Sequence, residues 1–233
     1  EALAVRVRDL VGAREFPLVL GGHCHILLGN MLGLRSLGRY GLVFVDGQDD
    51  FSHVSDPDRH RGFFAASGLD LALVTGNGPD ELSNLHGLRP YVDERHVVLF
   101  GMYRDPGDDE ALAREVGAGN GDASAGGAFR IERIRAIGAR AAAEEALRFL
   151  EAQPLEGFWI HVDADVLDRA VDPESPGGDR LEFDELTEAL RVFVASERAA
   201  GMELTIDDPE LDPDGVHGDR LVDSIVRAFV PHG

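Results

Sequence analysis

Gly157-Phe158-Trp159-Ile160-His161-Val162-Asp163-Ala164-Asp165-Val166-Leu167-Asp168 begins as an apolar, β-rich run and ends in acids. The first half reads as a buried strand. Asp163, Asp165, Asp168 and Asp172 then follow within ten residues. Acids at the carboxyl end of a strand in an α/β sheet lie where such folds place their ligands. On an extended chain Asp163 and Asp165 point to the same side. Two carboxylates held together are costly unless a cation neutralises them. An Asx-rich turn between strand and helix is the alternative reading.

Outward from this segment, short apolar runs alternate with helical patterns, the mark of a parallel sheet flanked by helices. Strands are predicted at 16–20, 42–45, 96–100, 129–131, 158–162 and 202–206, and helices at 26–37, 61–74, 108–116, 139–151, 183–196 and 219–229. The segment 139–151 is the clearest helix, with Ala143, Ala146, Leu147 and Leu150 on one face. Residues 117–127 read as a Gly-rich surface loop. No repeat is visible. The expectation is a single α/β domain over residues 1–233, a three-layer αβα arrangement around a mainly parallel sheet.

Composition narrows the chemistry. The 233 residues suffice for one substantial core. A net charge of −21 argues against nucleic acid and anionic membranes as partners. Every one of the 22 basic residues is Arg, which rules out a P-loop lysine and Schiff-base chemistry. One Cys excludes an intrachain disulfide. No apolar run approaches a membrane span, and residues 1–15 lack a signal-peptide pattern, so a cytoplasmic location is expected. The chain opens on Glu1 and not on Met, from which we expect natural sequence further upstream.

Two more predicted strands end in polar clusters: Leu20-Gly21-Gly22-His23-Cys24-His25 and Val45-Asp46-Gly47-Gln48-Asp49-Asp50. In a parallel sheet such ends come together. Asp46, Gln48 and Asp50, spaced i, i+2, i+4, would aim oxygens into one crevice. With Asp163 and Asp165 they make an oxygen-rich cage suited to manganese, magnesium or calcium more than to zinc. Cys24 is a ligand by position or a small buried hydrophobe. His23 and His25 read as surface or capping groups. The acidic loop at 208–215 lacks an EF-hand register, since Leu221 stands where the closing Glu belongs.

These motifs resemble the arginase/agmatinase family, the manganese ureohydrolases. That family carries Gly-Gly-Asp-His-Ser, Asp-Ala-His-x-Asp and Ser-x-Asp-x-Asp-x-x-Asp-Pro in this order. Here the matching stretches are Gly21-Gly22-His23-Cys24-His25, Asp46-Gly47-Gln48-Asp49-Asp50 and His161-Val162-Asp163-Ala164-Asp165-Val166-Leu167-Asp168, with Pro176-Gly177, Gly101–Asp105 and Asp208-Pro209 as further echoes. The resemblance implies two manganese ions. One would see Cys24, Asp46, Asp50 and Asp163; the other Gln48, Asp46, Asp163 and Asp165. It also implies an upstream strand unit and a trimer or hexamer.

Both of the family's ligand imidazoles are replaced, by Cys24 and Gln48. Ser67 stands where a His assists proton transfer, and Ile206 where a carboxylate holds the guanidinium. Glu203 and Asp207 lie near that position, but strand alternation aims them elsewhere or leaves their reach open. His161, in place of a Ser, is a compensating ligand, a base, or a satisfied core histidine. The resulting expectation is a hydrolase of guanidino or amidino C–N bonds using a metal-activated hydroxide, with Asp50 and His161 as catalytic groups. The rival is an inactive arginase-fold protein with a binding or structural role.

Overall fold

Six runs rich in β-branched and aromatic residues pair into one sheet, every neighbouring pair parallel. The computed structural model describes residues 1–48, 50, 68–103, 127–167, 179–206, 210 and 212–230. The strands are β1 (Leu18–Leu20), β2 (Tyr40–Val45), β3 (Val97–Phe100), β4 (Ala128–Phe129), β5 (Gly157–Asp163) and β6 (Ala199–Thr205), in the order β1-β6-β5-β2-β3-β4. From β2 the chain builds towards β3 and β4, then returns to place β5 on the other side of β2. This reversal between β2 and β5 opens a crevice at their carboxyl ends, the usual ligand position of open α/β sheets.

Strands buried on both faces must be apolar throughout, and β3 and β5 are buried along their whole length. Alternation then divides the core. Val43, Val45, Val98, Phe100, Ile160 and Val162 face one layer, which contains residues of helices α5 (Ile131–Ile137), α6 (Ala139–Glu151), α7 (Phe183–Val194) and α8 (Val216–Phe229). Leu42, Phe44, Leu99 and Trp159 face the other, which contains residues of α1 (Ala2–Gly12), α2 (Leu27–Arg35) and α3 (Asp70–Val74). Across this second face the register sets Phe44 beside His161 and His161 beside Glu203. Gly201 keeps the neighbouring row open, because a Cβ there would collide with the Trp159 ring.

The six expected strands and the three-layer α/β arrangement are present. Helix α6 has the expected bounds. A 3-10 turn, Cys24–Ile26, precedes α2, which spans Leu27–Arg35 where a helix over 26–37 was expected. Ile131 begins α5 and does not extend β4; Ile131 and Ile134, three apart, are both buried on one helical face. Helix α1 was not anticipated, although Ala4 and Val7 have the same spacing and are buried. Of the helix expected at 61–74, Asp70–Val74 is observed and 61–67 lie outside the described residues; so does all of 108–116.

Candidate metal centre

The crevice between β2 and β5 is lined by acids because both strands run out into polar residues there. Asp46 leaves β2 and accepts the Gln48 amide at 2.7 Å through Oδ1. Asp163 ends β5; its Oδ1 accepts the Asp165 amide at 3.0 Å, and its Oδ2 accepts the Thr205 hydroxyl at 3.4 Å. These local turns fix the direction of each carboxylate. Asp50 reaches the crevice with φ of 45°, a left-handed conformation that Asp tolerates better than most residues. Asp70 opens α3, and its Oδ1 accepts the Leu71 amide at 2.9 Å.

Two groups of metal-competent atoms result. Cys24, Asp50 and Asp70 offer ligand atoms all within 4.8 Å of one another, and so do Asp46, His161 and Asp163. All six residues are buried.

Electrostatics show what such a cluster lacks. Burial first, then repulsion among neighbouring acids, pushes the Asp46, Asp50 and Asp163 carboxyls well above the usual carboxylate range. Asp165 repels all three, and Asp70 acts most strongly on Asp50. Burial raises Asp70 to about 7, against a hydrogen bond with Asp50 that lowers it. The Cys24 thiol is raised by burial and by Asp70, Asp50, Asp163 and Asp46. For His161, burial opposes the imidazolium. The hydrogen bond and charge of Glu203, with Asp163 and Asp50, outweigh it, and its pKa is raised. Carboxyls gathered in a buried crevice call for a cation.

Beneath the crevice lies a polar network on the same sheet face. Glu203, fully buried, receives the Asn30 amide at 2.5 Å and the Trp159 indole N–H at 3.1 Å, and lies 3.0 Å from His161 Nδ1. The His161 ring stacks on Phe44, with centroids 4.6 Å apart. Strand alternation brings Glu203 inward, alongside His161, where the sequence alone aims it elsewhere or leaves its reach open. Its signal was available: Trp159, His161 and Glu203 fall in phase on adjacent strands. Asp70 was missed altogether. The signal for it was a lone acid opening the otherwise apolar run Asp70-Leu71-Ala72-Leu73-Val74.

Asp46, Asp50, Asp163, Cys24 and His161 are therefore brought together. Gln48 is not. It is exposed, and its side-chain amide donates to the Tyr103 hydroxyl at 2.9 Å. The i, i+2, i+4 reasoning fails here because the strand ends at Val45 and the chain turns. Tyr103 packs so closely on this turn that Gly47 has no room for a Cβ. Asp165 is half-buried, in the 3-10 turn Ala164–Val166, so strand alternation with Asp163 does not apply. Its Oδ1 accepts the Gly47 amide at 3.3 Å, and it belongs to neither ligand group, though its charge acts on three of their members. His23 and His25 are exposed and stacked on each other. Ser67, Asp168, Asp172, Asp207 and the Pro176-Gly177 segment lie outside the described residues.

The donor set, carboxylate oxygens with one imidazole and one thiol, fits divalent first-row cations. Two buried atoms aimed into the crevice, His161 Nε2 and Asp70 Oδ2, have no hydrogen-bond partner, as expected of groups shaped for an ion.

A three-layer α/β protein with a buried carboxylate cluster at its switch point is the class that fold and site define. The sequence pattern of the Arginase family matches residues 1–230, and the chain belongs to that family. It is 26% identical over 169 residues to an arginase of Bacillus subtilis (strain 168), covering 72% of this chain and 52% of that one. The matched stretch thus amounts to about half the length of that relative. The fold is similar to the crystal structure of arginase from Bacillus cereus, with a TM-score of 0.82 and 23% identity over 100% of this chain and 76% of that one. It is also similar to formimidoylglutamase from Bacillus subtilis, with a TM-score of 0.72 and 20% identity over 97% and 65%. No helix among the described residues is long and apolar enough to cross a membrane.

Proposed function

We propose that this protein is a metal-dependent hydrolase that cleaves a C–N bond in a small guanidino or amidino compound. The single observation behind this reading is the convergence of Asp46, Asp50, Asp163, Asp70, Cys24 and His161 into two buried ligand groups at the sheet's switch point, in a chain of the Arginase family. Manganese is the metal we propose, on the predominance of carboxylate oxygens. Bound divalent ions supply an activated water nucleophile at neutral pH.

This chain's residues do the rest. Asp46 and Asp163 hold the ions, their free lone pairs directed by the Gln48 and Asp165 amides. Asp50, beside Asp70 in the crevice, orients the attacking water and takes its proton. The crevice excludes bulk water, which strengthens its attraction for a guanidinium or amidinium. The surplus of acids across the chain, net charge −21, favours the approach of such cations. The same reading includes a homo-oligomer in the cytoplasm, supported by exposed Val216, Val222, Val226 and Phe229 along α8. Light scattering at a mass near 25.2 kDa would contradict that assembly.

The test is turnover of a panel of guanidino and amidino compounds after separate loading with manganese, iron and zinc. Release of urea, ammonia or formamide with one loaded metal supports hydrolysis. Tight metal binding with no turnover on any compound would move the protein to the binding or structural role.

A further inference from the structure

We propose that His161 and Asp70 are metal ligands, so that this chain draws a site imidazole from inside strand β5 and an additional carboxylate from helix α3. This rests on the metal-centre reading above and assigns its ligands more narrowly. One ion takes Asp46, His161 and Asp163; the other takes Cys24, Asp50 and Asp70.

The geometry is that of atoms waiting for an ion. His161 Nε2 is 4.0 Å from Asp46 Oδ2 and 4.0 Å from Asp70 Oδ2. That separation is too long for a hydrogen bond. Ligand atoms bound at about 2.0–2.2 Å to one ion lie roughly 3–4 Å apart, which the His161–Asp46 separation matches; the His161–Asp70 separation sets the two ligand groups side by side. Both His161 and Asp70 are wholly buried, and Nε2 and Oδ2 find no other partner. Without an ion, Nε2 and Oδ2 would be desolvated with no bond in return.

The other side of the ring completes the argument. His161 Nδ1 lies 3.0 Å from Glu203 Oε1, and Glu203 is itself held by Trp159 and Asn30. A carboxylate that accepts Nδ1–H leaves the Nε2 lone pair aimed into the crevice, the arrangement that orients metal-binding histidines. Phe44 fixes the ring plane by stacking. Glu203 is thus a positioning residue. His161 is neither a core histidine satisfied on both sides nor a base in contact with bulk water.

The experiment uses the full chain stripped by chelation and reloaded with Mn²⁺, with bound ions counted by equilibrium dialysis and nitrogen coupling read by pulsed electron paramagnetic resonance. Wild type is expected to show imidazole nitrogen coupling. His161→Asn keeps a donor for Glu203 but removes Nε2, and should abolish the coupling while the other ion stays bound. The His23→Gln, His25→Gln double variant should keep it. Asp70→Asn should weaken one ion and spare the nitrogen signal. Glu203→Gln should lower affinity for the imidazole-bound ion about 10–100-fold. Circular dichroism melts confirm that each variant is folded. The wild-type spectrum needs no variant: bound Mn²⁺ without nitrogen coupling overturns the role of His161 and leaves the metal centre standing. Coupling that survives His161→Asn, or Mn²⁺ binding indifferent to Asp70→Asn, overturns the corresponding assignment. Wild type that binds no Mn²⁺ overturns both the assignment and the metal-centre reading.

Discussion

The two faces of the sheet differ in kind. Beneath α5–α8 the core is mainly apolar, with Val43, Ile160, Val162, Leu190 and Phe193 buried in one cluster and Thr187 and Ser224 as buried hydroxyls. On the face beneath α1–α3, apolar Leu27, Met31, Phe44 and Leu71 surround a polar line from Asn30 through Glu203 and His161 to the carboxylates of the crevice. One face holds the sheet together chiefly by apolar burial. The other is built around groups that are costly to bury and are tolerated because each has a partner or a place for a cation. Chemistry has been loaded onto one side of a symmetric scaffold.

Breaking the polar line should have the largest effect. Glu203→Ala leaves the Trp159, Asn30 and His161 donors unpaired in a dry interior and should cost about 3–5 kcal/mol. Leu190→Ala on the opposite face should cost about 2–5 kcal/mol. The two separate by metal titration alongside denaturant unfolding: Glu203→Ala should weaken Mn²⁺ binding, and Leu190→Ala should not. Equal metal affinity in both variants would erase the distinction between the faces.

Metal itself should stabilise the protein through the polar face. At a free concentration about 100 times its Kd, one ion adds about 2.7 kcal/mol. For a chain of this size that is a rise in Tm of about 5–11 °C, checked by calorimetry with and without chelator. No rise would show that the crevice takes no ion in its folded form.

The metal-free protein should also lose stability as pH rises. Asp46, Asp50, Asp163 and Asp70 have folded pKa values above their unfolded ones, with Asp70 at about 7. The folded state therefore holds protons that the unfolded state has released. The associated stability is complete below about pH 4 and falls through pH 7 and above. A bound cation takes over the role of those protons and flattens the slope. Melting temperatures of chelated and loaded protein from pH 5 to 8 would show this; a chelated protein that gains stability across the range would contradict the sign.

The smallest expected effect is at Gln48. Its amide is committed to Tyr103 at the rim, so Gln48→Ala should alter Mn²⁺ affinity by no more than about 0.5 kcal/mol, roughly two-fold. Gln48→His should do little more unless the turn moves. A large loss on Gln48→Ala would return Gln48 to the ligand set and sharpen the comparison differently.

Much of this was legible without coordinates. Strand alternation and apolar runs are local properties, and they located all six strands, the parallel architecture and the acids at the ends of β2 and β5. The motif order pointed to the family. Where the chain stops being extended, the same periodicity no longer sets directions: Gln48 and Asp165 both lie in turns whose directions depend on Tyr103 and on local amide contacts. Asp70 and Glu203 left only weak signals in the sequence, for a different reason. A lone acid in a helix or strand has no local signature of its partner, and here the partners lie 20 or more residues away. By itself the sequence determined the sheet, its ligand-bearing edge and the sign of the site's charge, because these follow from residue type and period. Only the tertiary structure decided which side chains meet, since that depends on register between strands and on what packs against each turn.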